Sequence, residues 1–540
     1  MLNGSDPIAW RNQIRWILLA VVVAASVARV SNLDEPFGRT YEATACGPMV
    51  CAARNMVRYG LLRTHFGFVE NCDAVPVEQW TFYNHHPALV PLSAVPIVTL
   101  FGDHPWCYRL PAAICSVLAT GLLFVMITRK FDPTAGMTAA FFYAFCPFSW
   151  LVGDMLDVVG PHLVLFGLAT IECYSRWSES GTRKWFAAAI VMWVLAAFSD
   201  WPAFIIPPLL AVHYMISRPP KMWWRIIPFG LLGTGVLVFH VLTLTRGGDS
   251  SVIRQFFFRM NGNTDNGHPI TLYDWYHDAI AGYVFRTFSI PLFCLAALYV
   301  IIILLTALHR IKSLAPHDTV LLMLGWGLTH VLVGFQSSHQ HLWVWCIFLP
   351  GACAAAALAA CTLFRCLPEN WQHALPITIA VGTLAGIFLL WSSLRASEID
   401  QTTLTMQPMI YTLRDLGTFI RTSVPSGQGV LTSDMTDEST QTSEPALWYY
   451  ADRQIRNNIR SVAQLDASLG EGDYPLYYHL VQKGGPAPLW FVMPAEHRLE
   501  LPELTAVLDQ RYAHWFVHGY MLYYLDETPQ EQAAKEQGTR

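Results

Sequence analysis

Charged residues are scarce in this sequence. They make up 14% of 540 residues, while 53% are hydrophobic and 13% aromatic. Soluble chains carry about 25% charge, so the deficit points to lipid as the solvent. The net charge of −5 leaves no basic footprint for nucleic acid. Cysteine is absent from the last third: the twelve thiols end at Cys366, with no CxxC pair and no Cys/His spacing of a zinc site. No solenoid repeat and no low-complexity tract occurs, which excludes arrays and tails.

What the chain has is apolar runs. Spans are expected near 16–31, 109–128, 133–152, 158–175, 185–199, 202–217, 224–244, 286–308, 319–335, 341–363 and 374–393. A helix needs about 20 residues to cross a bilayer core, so the count of about eleven spans includes short ones. The segment Pro87–Phe101 is apolar, but it carries Pro87, Pro91 and Pro96. Its length reaches only ~22 Å as helix, and prolines 91 and 96 are expected to interrupt its ladder. Read as a juxtamembrane helix, it leaves Arg129/Lys130, Arg176/Arg183/Lys184, Arg218/Lys221/Arg225, Arg310/Lys312 and Arg365 on the side of Arg11 and Arg15. The opposite short loops, 153–157, 200–201 and 336–340, contain no Lys or Arg. The positive-inside rule makes the basic side cytoplasmic. Ser26-Val27-Ala28 also fits a signal-peptidase site, and cleavage there would not change the side of anything downstream.

The expected architecture is an α-helical polytopic membrane protein in two parts. Residues 1–393 form the transmembrane domain, with outward loops 32–108 and 245–285. Residues 394–540 form a small extracytoplasmic α/β domain. Strand-like runs occur at Gly429–Ser433, Pro488–Met493 and His514–Tyr524, and helical ones at Gln407–Thr422 and Pro445–Arg453.

Ionisable residues near a membrane are costly unless used or paired. Outward clusters are Asp34, Glu35 and Glu42; Arg54-Asn55 and Arg58; His85-His86-Pro87; Asp154 and Asp157; and His339 with His341. A carboxylate can take the proton of an attacking acceptor, and His or Arg can neutralise a departing phosphate. Each cluster also has a plainer reading: solvated loop charge for Asp34 and Glu35, helix N-terminal preference for Asp154 and Asp157, interfacial packing for the histidines. Asp200, before Trp201-Pro202, reads as an N-cap. Cys72 could be bridged to Cys107, or Cys46 to Cys51, and spacing does not choose between them.

Ala53-Arg54-Asn55-Met56-Val57-Arg58-Tyr59-Gly60 is similar to the ARN-x-x-RYG segment of bacterial GT-C glycosyltransferases. Asn84-His85-His86-Pro87-Ala88-Leu89 resembles their THHPPL motif, and Leu100-Phe101-Gly102 through Arg109-Leu110-Pro111-Ala112 their LFG…RLPA stretch. Ser199-Asp200-Trp201-Pro202 and His341 to Pro350 also fit. The order resembles the family 39-like superfamily of protein O-mannosyltransferases and lipid A aminoarabinose transferases.

The resemblance implies an inverting transfer of a sugar from a polyprenyl-phosphate donor to a lipid, glycan or protein acceptor, outside the membrane of a bacterial cell. It implies no resident cofactor and leaves a divalent metal open. It makes His86, with His85, a phosphate contact, and Arg54 a structural or phosphate partner. His339 and His341 are further substrate-binding candidates. Two departures stand out. The family's first acid pair falls on Ala45 and Cys46, leaving Glu42, Asp34 and Glu35 as the nearest carboxylates. The second acid falls on Gly160, so Asp157, with Asp154 behind it, takes its place. The other reading is a polytopic non-enzyme: a transporter, or a degenerate relative acting as an assembly factor. A transporter would show polar, broken helices in two related halves, and no such halves are visible.

Overall fold

The computed structural model describes most of 16–37, then 42–83, 86–244, 269–309, 316–366, 407–433, 444–456, 459–469, 474–475, 481–482, 485 and 487–538. The chain divides into two compact units: Met1–Glu35 with Asn84–Asp400, and Pro36–Tyr83 with Gln401–Arg540. The sequence places the first loop with the transmembrane region and a boundary near 393. In the structure residues 36–83 are grouped with the tail, and 367–406 lie outside the described residues. The expected span 374–393 therefore also lies outside them.

The first unit is helical. Among its described elements are helices Leu89–Phe101, Pro105–Lys130, Pro133–Phe145, Pro161–Ser180, Arg183–Ser199, Ile206–Ser217, Ile227–Leu244, Ile290–His309, Asp318–Val333 and Leu349–Arg365. By length and composition, two described helices are long and apolar enough to cross a membrane, Pro105–Lys130 and Pro220–Leu242; the other apolar helices are shorter. The expected run 133–152 is interrupted at Cys146-Pro147, and those at 202–217 and 341–363 begin as 3-10 turns. Several helices turn large apolar side chains outward, among them Leu100, Leu118, Ile216, Leu231, Leu242 and Leu304. Water does not favour such faces, and hydrocarbon does.

The Leu89–Phe101 helix is continuous through its prolines, against the expected interruption. Pro91 falls in the first turn, where no N–H is needed. Beyond Pro96 the helix resumes and ends on Gly102, whose φ of 93° only glycine adopts cheaply.

Charged loops meet at one end of this unit. Arg129 binds Glu172 and Glu179, at 2.9 and 2.5 Å, and Lys130 binds Glu179 and Asp318, at 2.6 and 2.9 Å. Arg218 reaches the Ser178 carbonyl and Arg365 the Asp132 carboxylate.

The second unit is a mixed sheet with helices. β1 (Phe68–Val69) pairs with β2 (Phe82–Tyr83) as a small ribbon. β3 (Gly429–Thr432) lies parallel to β4 (Ile455–Arg456), and β5 (Tyr474–Pro475) forms a second ribbon with β6 (Val481–Gln482). With β7 (Pro488–Pro494), β8 (Ala513–Val517) and β9 (Tyr520–Tyr524), the main sheet has the order β4-β3-β7-β9-β8. The run His514–Tyr524 is a hairpin, because His518 and Gly519 both take positive φ, 50° and 89°. That is the two-residue turn whose twist suits adjacent strands. Leu431, Phe491, Met493, Leu504, Leu508 and Tyr523 form the core of this unit.

Helix Glu42–Tyr59 packs with the tail through ionic and aromatic contacts. Arg54 donates to the Tyr449 carbonyl at 3.0 Å, lies 4.3 Å over the Tyr449 ring and pairs with Asp452 at 3.4 Å. Arg58 reaches the other Asp452 oxygen at 2.5 Å. Burial alone would raise the Asp452 pKa, but Arg54 and Arg58 hold it down at about 2. Asp73 in turn accepts from Ser426 Oγ at 2.5 Å and Gly427 N at 2.7 Å.

Candidate functional site

Three elements of the first unit bring polar groups together. The first is the turn before the Leu89–Phe101 helix, which carries His86. The second is the loop 153–160 leading into the Pro161–Ser180 helix. The third is the break at Asp200 after the Arg183–Ser199 helix. His86 Nδ1 lies 2.6 Å from Asp200 Oδ1. The Asp200 carboxylate is 2% exposed, His86 20%. Asp200 sits at an N-cap position but makes no side-chain cap bond; its carboxylate is turned to His86 instead. The expectation of a plain N-cap misses this, and the only sequence signal for it was the Ser199-Asp200-Trp201-Pro202 motif.

The backbone after Asp200 is hung on two buried indoles. Trp326 Nε1 donates to the Pro202 carbonyl and Trp193 Nε1 to the Ala203 carbonyl, both at 2.9 Å. These bonds satisfy carbonyls that a broken helix would leave unpaired, and they fix the direction in which Asp200 points.

Asp157 is fully enclosed. Its Oδ1 accepts from the Val158 N–H at 2.7 Å, while Oδ2 meets no hydrogen-bond partner among the described residues. Burial pushes its pKa up to about 7; His86 opposes the shift and Asp200 adds to it. His86, Asp200 and Asp157 are thus within electrostatic reach of one another. The loop is tied to the chain segment after His341, because Cys346 Sγ donates to the Val159 carbonyl at 3.0 Å.

A Cβ on Gly160 would lie 2.6 Å from the Asp157 carbonyl oxygen, so the loop has no room for a side chain there. Gly153 gives a similar result: a Cβ would lie 2.4 Å from Arg29 Nε. Arg29 is buried, donating to Ser116 Oγ, Ser149 Oγ and the Ala144 carbonyl at 2.9, 2.5 and 3.0 Å. Asp154 interacts electrostatically with this guanidinium, which places it with Arg29.

The remaining candidates are distributed. Asp34 and Glu35 are exposed on the turn after the first helix, and Arg109 of the RLPA stretch donates to the Leu33 and Glu35 carbonyls. Glu42 belongs to helix Glu42–Tyr59 of the other unit, and its side chain lies outside the described residues, as does His85. Arg54 is engaged with Asp452 and Tyr449 within the second unit, so its structural role is the one on view. His339 Nε2 lies 3.1 Å from Asp278 Oδ2, and His341 stacks on Trp343 at 4.7 Å. Of the loop 245–285, residues 269–285 are described. Trp275 there donates to Ser338 Oγ at 2.8 Å, joining that segment to the helix carrying His339. Among the described residues no group of three or more His, Cys, Asp or Glu could hold a metal ion.

Residues 85–244, which contain His86, Asp154, Asp157 and Asp200, match the family described as dolichyl-phosphate-mannose-protein mannosyltransferase. No curated protein matches the chain. The fold is similar to ArnT from Cupriavidus metallidurans, solved bound to undecaprenyl phosphate. The TM-score is 0.56 at 14% identity, covering 96% of this chain and 98% of that one. It is also similar to the archaeal oligosaccharyltransferase AglB from Archaeoglobus fulgidus, solved with an inhibitory peptide and a dolichol-phosphate. There the TM-score is 0.50 at 13% identity, covering 95% of this chain and 74% of that one. At these identities the shared property is the GT-C fold, a helical region with a small C-terminal mixed sheet.

Proposed function

We propose that this chain is an integral membrane glycosyltransferase that moves a sugar from a polyprenyl-phosphate donor to a lipid, glycan or protein acceptor on the outer face. The observation that carries the reading is the enclosed Asp157 carboxylate. One of its oxygens is unbonded among the described residues, and it sits within reach of the His86–Asp200 pair. The family match over 85–244 and the fold shared with a protein solved on undecaprenyl phosphate support the donor class.

In this reading the acceptor hydroxyl or amine attacks the anomeric carbon and Asp157 takes its proton. A base with a pKa near the working pH combines availability with driving force. The bond from the sugar to the phosphate oxygen breaks with its electron pair staying on the phosphate. His86, oriented by its contact with Asp200, stabilises the charge that develops there. One displacement inverts the anomeric configuration. Glu42 and Asp34 are the carboxylates proposed for orienting the acceptor, His85, His339 and His341 for further substrate contacts, and Asp154 for holding the loop through Arg29.

Membranes carrying the wild type and Asp157→Asn test this with labelled polyprenyl-phosphate sugars. Transfer by the wild type, lost in a variant that accumulates normally, supports the proposal. Equal transfer by both removes Asp157 from the chemistry, and no transfer by the wild type with any hexosyl or pentosyl donor favours a degenerate assembly factor.

A further inference from the structure

Cys51 and Cys72 lie in the second unit with their sulfurs 3.6 Å apart, both buried. The sequence left 72/107 and 46/51 open; the sulfur in contact with Cys72 is that of Cys51. The neighbouring bonds show why the contact is fixed. Cys51 and Asn55 are four residues apart on helix Glu42–Tyr59, and hence on one face. Asn55 Nδ2 donates to the Val69 and Asn71 carbonyls, each at 2.8 Å. Arg58 Nη1 donates to the Asp73 carbonyl at 2.9 Å, and the Val75 N–H donates to Tyr59 Oη at 3.1 Å. The segment 69–75 is thus held along the helix by four bonds, and Cys72 in its middle is set against Cys51 one turn before Asn55.

We propose that Cys51 and Cys72 are joined by a disulfide in the mature protein. The proposal rests on the outward placement of loop 32–108, which puts both thiols in an oxidising compartment. The oxidant is another disulfide, of a small molecule or of a protein catalyst. One cysteine thiolate attacks it and releases a thiolate. The second cysteine then attacks the mixed disulfide at the protein sulfur and releases another. Two protein thiols are oxidised, one external disulfide is reduced to two thiols, and the two protons leave with them. The exchange takes place while the unit folds, before burial closes off the sulfurs. The bond closes a loop that contains β1, and so restrains the segment that carries Asp73.

Protein alkylated with N-ethylmaleimide at cell lysis, denatured without reductant and digested, should yield a peptide joining Cys51 to Cys72 with neither labelled. Maleimide on both residues overturns the proposal. Purified protein is then reduced, opened in denaturant and returned to buffer in the presence of oxidised glutathione. A bond formed there but absent from cells shows sound geometry in a reducing compartment, and so overturns the outward placement as well. No bond in either arm overturns the geometric argument and leaves the membrane side standing. Cys51→Ser and Cys72→Ser should each lower Tm, by roughly 5–10 °C, and the double variant no further. Additive losses count against a bond.

Discussion

His86 Nδ1 and Asp200 Oδ1 meet at 2.6 Å although 114 residues separate them. A histidine before a proline and an aspartate at a helix break, both explicable locally, together form a buried polar pair beside a third ionisable group, Asp157. The pair matters because the carboxylate engages one ring nitrogen and so fixes how the imidazole presents the other.

The Asp157 pKa of about 7, raised by burial, gives the proposed activity a pH signature. A general base works deprotonated, so kcat/KM should rise with pH through about 7 and then level. In Asp157→Asn that limb should vanish along with a loss of ~10²–10⁴ in rate. A pH–rate profile of donor consumption in detergent checks both; an unchanged limb in the variant assigns it to another group.

Asp200→Asn should keep the fold of the 200–205 turn, since Trp326 and Trp193 hold its carbonyls independently. It should weaken donor binding, because His86 loses the carboxylate that orients its ring: a KM for donor up by roughly tenfold, about 1.4 kcal/mol. Steady-state kinetics with varied donor and fixed acceptor decide it, and an unchanged KM would remove His86–Asp200 from the donor site.

Gly160→Asp restores an acid at the family's position. It should not rescue Asp157→Asn, because its Cβ would meet the Asp157 carbonyl oxygen at 2.6 Å. Overpacking of this kind costs about 1–3 kcal/mol, so Gly160→Ala should already lower thermal stability. Restored transfer in the double variant would show that the loop adapts.

In the second unit Asp452 and Glu70 predict opposite pH dependences. The folded pKa of Asp452 is depressed, to about 2. Its contribution is therefore complete above the unfolded value of about 3.9 and is lost as pH falls toward 2. Removing it takes the carboxylate from buried Arg54 and half-buried Arg58, at a cost of about 3–5 kcal/mol, so Asp452→Ala should accumulate poorly.

Glu70 is the reverse case. Both carboxyl oxygens are buried without a partner among the described residues, and burial raises its pKa well above the ordinary value. Its stabilising, protonated form is fully present below the unfolded pKa of about 4.3 and is lost as pH rises toward the folded value. Glu70→Gln should raise Tm at neutral pH and flatten its dependence on pH above about 4.3, as scanning calorimetry would show. A lower Tm would mean that the carboxylate has a use.

Much of the helical region was legible because apolar run length and loop charge are local properties. Pro105–Lys130 and Pro161–Ser180 both fall on expected runs, displaced by a few residues at their ends. That Leu89–Phe101 is a short apolar helix was legible too, but its continuity through Pro96 was not, because proline's cost depends on what neighbours supply. The partnership of Arg54 with Asp452 was beyond sequence reading: nothing local to the ARN segment signals an aspartate 398 residues away.

The sequence by itself determined, through composition and the length of its apolar runs, that this chain suits lipid, and it carries a motif order that resembles the GT-C family; neither needs a third dimension. Tertiary structure decided which carboxylates share an environment. It set Asp157 and Asp200 near His86, left Asp34 and Glu35 exposed, and placed helix Glu42–Tyr59 with the tail. Burial and long-range pairing fix those outcomes. Both are properties of what a side chain meets after folding rather than of its neighbours in the chain.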